Sequence, residues 1–357
     1  MVHPSKGGRP TLEAVAARAG VSRATVSRVV NGGAGVRGEV RERVRRAVAD
    51  LGYVPNSAAR SLVTRRTGAV AVVIAEPESR IFADPFFGRQ LRGISRELSA
   101  ADIQLLLLLQ ETRADCDRVG RYLAAGHADG VLMFSLHRDD PLPAMAEASG
   151  LPTVYGGRPG WADTGHGPRP LYVDTDNRDG ARQAVRHLRD RGRRRIAVIT
   201  GPLDQTSAQD RLDGYRDALA PAVPDPRLIA DGGFTAQGGE RAMARLLAAA
   251  PDLDGVFVCS DLMASGALRT LRAHGRRVPE DVGVVGYDDL DPAAWTDPPL
   301  TTVRQDVEEM GRLMARLLLR RLAAGRTGRG AAGGEADESE EPAPVVTPAR
   351  LVVRESG

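Results

Sequence analysis

The 357 residues are 42% apolar and 27% charged, enough for more than one domain with a substantial core, so most of the chain is expected to be globular and soluble. The formal net charge of +3 is unevenly spread: residues 1–67 hold 13 Lys+Arg against 4 Asp+Glu, or +9, and the remainder carries −6. A basic head on an acidic body is the electrostatic footprint of nucleic acid at one end. No apolar run is long enough to span a bilayer and no secretory segment opens the chain, so a cytoplasmic protein is expected, while the two distant cysteines, Cys116 and Cys259, argue against a disulfide or a metal site.

Residues 1–10 are polar and rich in Gly and Pro, and are expected to be disordered. From Thr11 to Asn31 the pattern predicts two short helices around a tight turn. Thr11 can cap the first, and Leu12, Val15, Ala16 and Ala19 form its apolar face. Gly20 supplies the left-handed turn, Val21 a plug between the helices, and Ser22 the second cap. With Val26, Val29 and Val30 turned inward, Arg23, Ala24, Thr25, Ser27 and Arg28 lie on or near the outer face. Small residues, hydroxyls and arginines suit the DNA major groove, where arginine pairs with two guanine acceptors. An ordinary helical hairpin would show the same turn, so the surrounding pattern has to decide. A third helix is predicted from about Glu39 to Leu51, with Val40, Val44, Ala47, Val48 and Leu51 buried and Gly52 as its stop. Residues 53–56 break the chain, and 57–62 form one or two further helical turns, too short to stand alone and expected to order against a partner or to act as a plain linker.

From Ala69 the pattern changes to strands alternating with helices. Apolar runs predict buried strands at 69–75 and 103–109 and further strands near 131–134, 153–155, 196–200, 256–259 and 282–285. Helices are predicted between them, one with Phe87, Leu91, Ile94 and Leu98 on one side, others at 181–191, 209–220, 237–249 and 262–274. The fold class is therefore α/β: a helix-turn-helix headpiece followed by two doubly wound parallel sheets, whose ligand edge lies outside the carboxyl ends of the strands. Residues 325–344 are Gly-rich, then acidic, and read as a disordered insertion, after which 349–356 form a last edge strand.

The blocks 11–31, 53–62, Gly283-Val-Val-Gly-Tyr-Asp-Asp289, Pro298-Pro-Leu-Thr-Thr-Val-Arg-Gln-Asp306 and the closing Leu-Val-Val-Arg-Glu-Ser occur in an order that resembles the lactose-repressor (LacI/GalR) family of bacterial transcription regulators. The resemblance implies a dimer or dimer of dimers on a nearly palindromic operator. It implies base reading by Arg23, Ala24 and Arg28, with Thr11, Ser22, Thr25, Ser27, Asn31, Tyr53 and Asn56 as supporting DNA contacts. It also implies a hinge helix in which Ala59 lines the groove or hinge contact and Leu62 wedges between base steps. The body then resembles periplasmic sugar-binding proteins, with a small-molecule effector, a sugar or sugar derivative, between two lobes. Phe86, Phe87, Ser135, Ser207, Arg211, Phe234 and Asp288 fall at effector positions; each has an ordinary structural role as its alternative. Two departures, Ser260 and Gly157, stand where relatives carry hydroxyl-binding groups, and Arg158 beside the second leaves an acidic or phosphorylated effector open.

The implied division is a headpiece at 11–55, a hinge and linker at 56–67, and a body at 68–357. The body has one lobe at about 68–174 and 303–324 and the other at about 175–301 and 345–355. No cofactor, metal or membrane partner is expected, and the lack of a heptad-rich tail favours a dimer over a tetramer. The alternative readings are a solute-binding protein of a transport system, opposed by the basic head, and an α/β enzyme. For an enzyme, His127, His137, His166, His187 and His274 form no Ser–His–Asp or Cys–His arrangement by spacing. Whether an effector releases or strengthens DNA binding is left open.

Overall fold

The computed structural model describes residues 10–30, 33–54, 66–162, 169–327 and 342–357. The expectations placed on the tail before Pro10, on Asn31, Asn56, Ala59 and Leu62, on His166 and on 328–341 lie outside those residues. Packing divides the chain into two units, residues 1–68 and 69–357.

In the first unit, α1 (Leu12–Ala19), α2 (Arg23–Val30) and α3 (Gly38–Leu51) enclose a small core of Val15, Ala16, Ala19, Val26, Val29, Val44, Ala47 and Tyr53. Thr11 Oγ1 accepts from Ala14 N at 3.3 Å and Ser22 Oγ from Thr25 N at 3.2 Å, so both expected caps form. Gly20 turns the chain at φ 65°, a conformation costly for a residue with a Cβ. The following Val21 N–H reaches Ala16 O at 3.1 Å and closes α1. Arg18 Nη2 bonds Asp50 Oδ2 at 2.9 Å and ties α1 to α3. Tyr53, expected as a DNA contact, is instead 9% exposed in this core, drawn in after Gly52 by its N–H bond to Val48 O at 3.0 Å.

The second unit begins with β1 (Ala69–Ile74), α4 (Glu78–Ala83), α5 (Pro85–Ala100), β2 (Gln104–Leu109), α6 (Arg113–Ala124), β3 (Gly130–Phe134), α7 (Leu142–Ala148), β4 (Thr153–Gly156) and β5 (Tyr172–Thr175). It continues through α8 (Asn177–Asp190), β6 (Ile196–Thr200), α9 (Thr206–Leu219), β7 (Ile229–Asp231), α10 (Ala236–Ala249), β8 (Gly255–Val258), α11 (Asp261–Ala273) and β9 (Gly283–Asp288). The last elements are α12 (Asp291–Trp295), β10 (Thr301–Arg304), α13 (Val307–Thr327), β11 (Val345–Thr347) and β12 (Arg350–Val352). Two six-stranded sheets result, in the orders β11-β5-β4-β3-β1-β2 and β12-β10-β9-β8-β6-β7. All pairings are parallel except that of β10 with β12. Such sheets bury both faces, as the wholly buried Ala69–Ile74 and Ile196–Thr200 show.

The chain passes between the sheets after β5, after β10 and after β11, and Asp176 N donates to Thr347 O at 2.9 Å where the first and third passages meet. Three expectations are corrected here. Val303 and Arg304 belong to the second sheet, because the strand keeps its partner β9 to its end. Residues 345–347 belong to the first sheet, where they extend β5. Residues 325–327 continue α13 rather than opening an insertion. A fourth concerns β2: its leucines lie at the sheet's edge, paired only with β1, and Leu107 is 39% exposed, so this strand is not buried.

Candidate nucleic-acid interface and ligand cleft

On the first unit, Ser22 just before α2 and Arg23, Ala24 and Arg28 on it are exposed, and Thr25 and Ser27 are half-buried. Arg23 and Ser27 stand one turn apart, as do Ala24 and Arg28, so two adjacent rows present a guanidinium and a small group each. Arg23 Nε meets Glu13 Oε1 at 3.1 Å, an exposed pair that solvent screens and that is readily exchanged for a stronger partner. Ser22 and Thr25 are engaged with each other, Oγ to Oγ1 at 2.9 Å, so their first role is to hold the start of α2.

In the second unit the carboxyl ends of both sheets open onto one cleft. It is lined from the first lobe by Arg80, Asp84, Phe86, Gln90, Ser135, His137, Arg158, Trp161 and Asp174, and from the second by Asn177, Asp204, Gln205, Ser207, Arg211, Phe234, Ser260 and Asp288. This is where doubly wound sheets bind ligands, because strand ends and helix starts leave polar groups pointing outward. Among the described residues five non-glycine positions have positive φ, and three of them, Ser135, Phe234 and Asp288, line the cleft. Backbone strain of about 1–3 kcal/mol per site persists where the surroundings hold it for function. Gly201 is required beside Phe234, since a Cβ there would lie 2.1 Å from the ring.

Arg211 is 4% exposed. Its Nε donates to Asn177 Oδ1 at 2.8 Å and its Nη1 to Cys259 O at 2.6 Å, 3.6 Å from Asp288 Oδ1, and its guanidinium lies 3.7 Å from the Tyr287 ring centroid. Gln305 Nε2 donates to Asp288 Oδ1 at 2.5 Å. Burial raises the Asp288 carboxyl to about 7, against the opposing pull of Arg211, and burial likewise raises Asp174 to about 6 and pushes Asp84 upward. A guanidinium, buried carboxylates and the faces of Phe86 and Phe234 supply hydroxyl donors, hydroxyl acceptors and an apolar platform, the set a polyol needs.

Of the expected effector residues, Phe86, Ser135, Ser207, Arg211, Phe234 and Asp288 meet in this cleft. Phe87 does not: one position further along α5, it turns into the core, 1% exposed and stacked on Phe134 at 6.1 Å. Arg158, beside which the sequence leaves an acidic or phosphorylated effector open, has its Nη2 on both carboxylate oxygens of Asp210 at 2.7 and 2.8 Å, so its charge is balanced within the protein. Sequence reasoning missed Arg80, Asp84, Gln90 and Trp161. Asp84 carried a readable signal, since Asp-Pro before an apolar helix is an N-cap, and its carboxylate accepts from Phe86 N at 3.0 Å.

The two lobes also meet across the cleft. His137 Nδ1 bonds Asp204 Oδ2 at 2.8 Å with its Nε2 3.7 Å from Glu76, Gln205 Nε2 donates to Glu76 Oε1 at 2.8 Å, and Arg80 covers the Phe234 ring at 4.9 Å. The nearby Glu76 carboxylate and the pairing with Asp204 raise His137 to about 9. A group whose folded value exceeds its unfolded one stabilises fully below the unfolded value, here 6.5, and loses that contribution as pH rises through about 9. Thermal unfolding of the wild type is therefore expected to shift to lower temperature between pH 6.5 and 9, and His137→Gln to flatten that slope; parallel curves for the two proteins would refute the bridge.

Residues 11–56 match the family described as bacterial regulatory proteins, lacI family, and residues 185–357 match the periplasmic binding protein-like domain. The ribose operon repressor of Escherichia coli K12 is 34% identical over 318 residues, 87% of this chain and 93% of that one. A DNA-reading head joined to a two-lobed, ligand-binding body defines a transcriptional regulator, and the chain belongs to the LacI family. With the HTH-type transcriptional regulator CelR of Thermobifida fusca it shares 50% identity over 351 residues, 98% of each chain. Among solved structures, the transcriptional regulator CelR–cellobiose complex matches with a TM-score of 0.74 at 48% identity, covering 98% of this chain and 100% of that one. The lac repressor dimer bound to operator and the anti-inducer ONPF matches with a TM-score of 0.80 at 27% identity, covering 98% and 99%. The head that matches residues 11–56 takes away the ground for a transport protein. Among the described residues no helix is long and apolar enough to cross a membrane, and no cluster of His, Cys, Asp and Glu could hold a metal ion.

Proposed function

We propose that this regulator is a cytoplasmic repressor that binds a palindromic operator as a homodimer and changes its grip on DNA when a neutral sugar occupies the cleft. The observation that carries the reading is the cleft's chemistry. Arg211, Asp288, Phe86 and Phe234 line one cleft, with Arg158 already paired with Asp210, in a chain 48% identical to a regulator solved with cellobiose. The satisfied Arg158 disfavours an acidic or phosphorylated effector, and cellobiose is the first sugar to test.

In this reading Arg23, Ala24 and Arg28 read base edges, while Thr11, Ser22, Thr25, Ser27 and Asn31 set the register on phosphates. Asn56, Ala59 and Leu62 act in the hinge at the operator centre. Arg28→Ala or Arg23→Ala is expected to reduce preference for the operator over random DNA by about 1–3 kcal/mol, measured by competition footprinting. Unchanged discrimination would remove that arginine as a base reader. Coupling between cleft and head has a size: titrating operator with and without saturating cellobiose is expected to shift the DNA dissociation constant by about 5–150-fold. Cellobiose binding that leaves the DNA constant unchanged would refute the switch.

A further inference from the structure

One short stretch of the second lobe carries a run of contacts to the first. Asp204, Gln205, Thr206 and Asp210 lie at or just before the start of α9. Asp204 bonds His137, Gln205 Nε2 donates to Glu76, Thr206 Oγ1 donates to the carbonyl of Arg158 at 2.5 Å, and Asp210 holds the Arg158 guanidinium. Exposure grades the charged pairs by depth. The side chains of Arg211 and Asp288 are 5% and 6% exposed, those of Arg158 and Asp210 26% and 22%, and those of His137 and Asp204 34% and 50%. The last two pairs therefore stand between solvent and the cleft floor. They are also built to part. Glu76 keeps Arg80 and Ser135, both from its own lobe, when Gln205 leaves it, so no buried charge is stranded there. His137, Asp204, Arg158 and Asp210 already reach water, and separating them costs far less than breaking a wholly buried pair. Asp210 directly precedes Arg211 on α9, so these contacts and the cleft floor share one helix.

We propose that residues 204–210 are the movable half of a clasp over the mouth of the cleft, closed on Glu76, His137 and Arg158, and that its opening sets the rate at which a small molecule enters and leaves. Recognition stays with the cleft floor, and the clasp decides how long the occupant remains. A lid of this kind gates exchange because the ligand's path runs between the parts that bond. Loosening it raises the open population, and with it both the association and the dissociation rate, while equilibrium affinity moves less than either. The clasp is argued from contacts within the body and does not require the occupant to be a sugar.

The chain has two tryptophans, Trp161 on the cleft and Trp295, which is 79% exposed. In the full-length protein carrying Trp295→Phe, quenching by acrylamide reports the access of solvent to Trp161 alone. Adding Asp204→Ala, at the solvent edge, is expected to raise the quenching constant about twofold, and adding Asp210→Asn as well to raise it further. Asp217→Ala, which removes a pair with Arg178 inside the second lobe, should leave it unchanged. Stopped-flow dissociation of cellobiose is expected to be about tenfold faster in Asp204→Ala, with a smaller change in affinity. Unchanged quenching in both clasp variants, an equal rise in Asp217→Ala, or cellobiose leaving Asp204→Ala at the wild-type rate would each overturn the clasp. If wild type binds no cellobiose, the sugar reading falls and quenching alone decides the clasp.

Discussion

Arg211→Ala is expected to destabilise the body by about 3–5 kcal/mol and to abolish its response to sugar. The guanidinium is buried, donating to Asn177 Oδ1 on α8 and to the carbonyl of Cys259 after β8, and it faces Asp288 at the end of β9, which Gln305 also holds. It therefore ties three elements of the second lobe together at the wall of the cleft, with Tyr287 packed against its face. Truncation leaves a carbonyl, an amide oxygen and a carboxyl buried without their shared donor, and Asp288, already raised by burial, is expected to take up a proton. Urea unfolding at neutral pH measures the first effect and calorimetry with cellobiose the second. Arg211→Lys keeps the charge but cannot span Asn177 and Cys259 O with a single ammonium, so an intermediate loss is expected. A loss below about 1 kcal/mol for the alanine variant would mean the triple tie carries little of the lobe's stability.

The second large effect concerns the head. A chain starting at Ala69 is expected to fold, to bind cellobiose with the affinity of the full-length protein, and to lose operator binding entirely. Both sheets and the whole cleft lie within residues 69–357, while every base-reading candidate lies in the unit that ends at Gly68. The head carries +9 within residues 1–67, so operator affinity of the full-length protein should also fall steeply with salt, as counterions released from phosphate drive association. Gel-shift and calorimetry on the truncated chain check both halves. Loss of sugar binding along with DNA binding would show that the body does not stand alone.

The head was legible in the sequence because its determinants are local. Caps at Thr11 and Ser22, a left-handed Gly20 and valines at helical spacing need no distant partner to be interpreted. The fate of Tyr53 was not, since one position after a helix stop it can fold back or point out, and only the packing of Val44 and Ala47 decides. In the body, Ala69–Ile74 announced itself as a doubly covered strand, but the equally apolar Gln104–Leu109 did not announce that it sits at an edge, because an apolar run does not record which neighbours arrive. The three-residue β7 and β11 were too short for any periodicity to register.

The cleft was half legible for a related reason. Arg211 and Asp288 could be placed through family resemblance, yet their partners Asn177, Cys259 and Gln305 come from distant stretches of chain. Phe86 and Phe87 are adjacent, and the 100° between successive helix positions sends one to the cleft and the other to the core. Gln90 could have been found, because a glutamine inside the stripe of Phe87, Leu91, Ile94 and Leu98 breaks a pattern that packing alone would not break. The bridge from Glu76 through His137 to Asp204 joins two lobes whose approach no local pattern encodes.

If occupancy of the cleft sets the grip of the head, the linkage must run both ways. The direct measurement is the calorimetric affinity for cellobiose of the full-length protein, free and saturated with its selected operator. The ratio of the two sugar constants is predicted to equal the ratio of the operator constants measured without and with sugar, and the chain starting at Ala69 should show no change when operator is added. A sugar affinity that operator leaves untouched in the full-length protein would contradict the account.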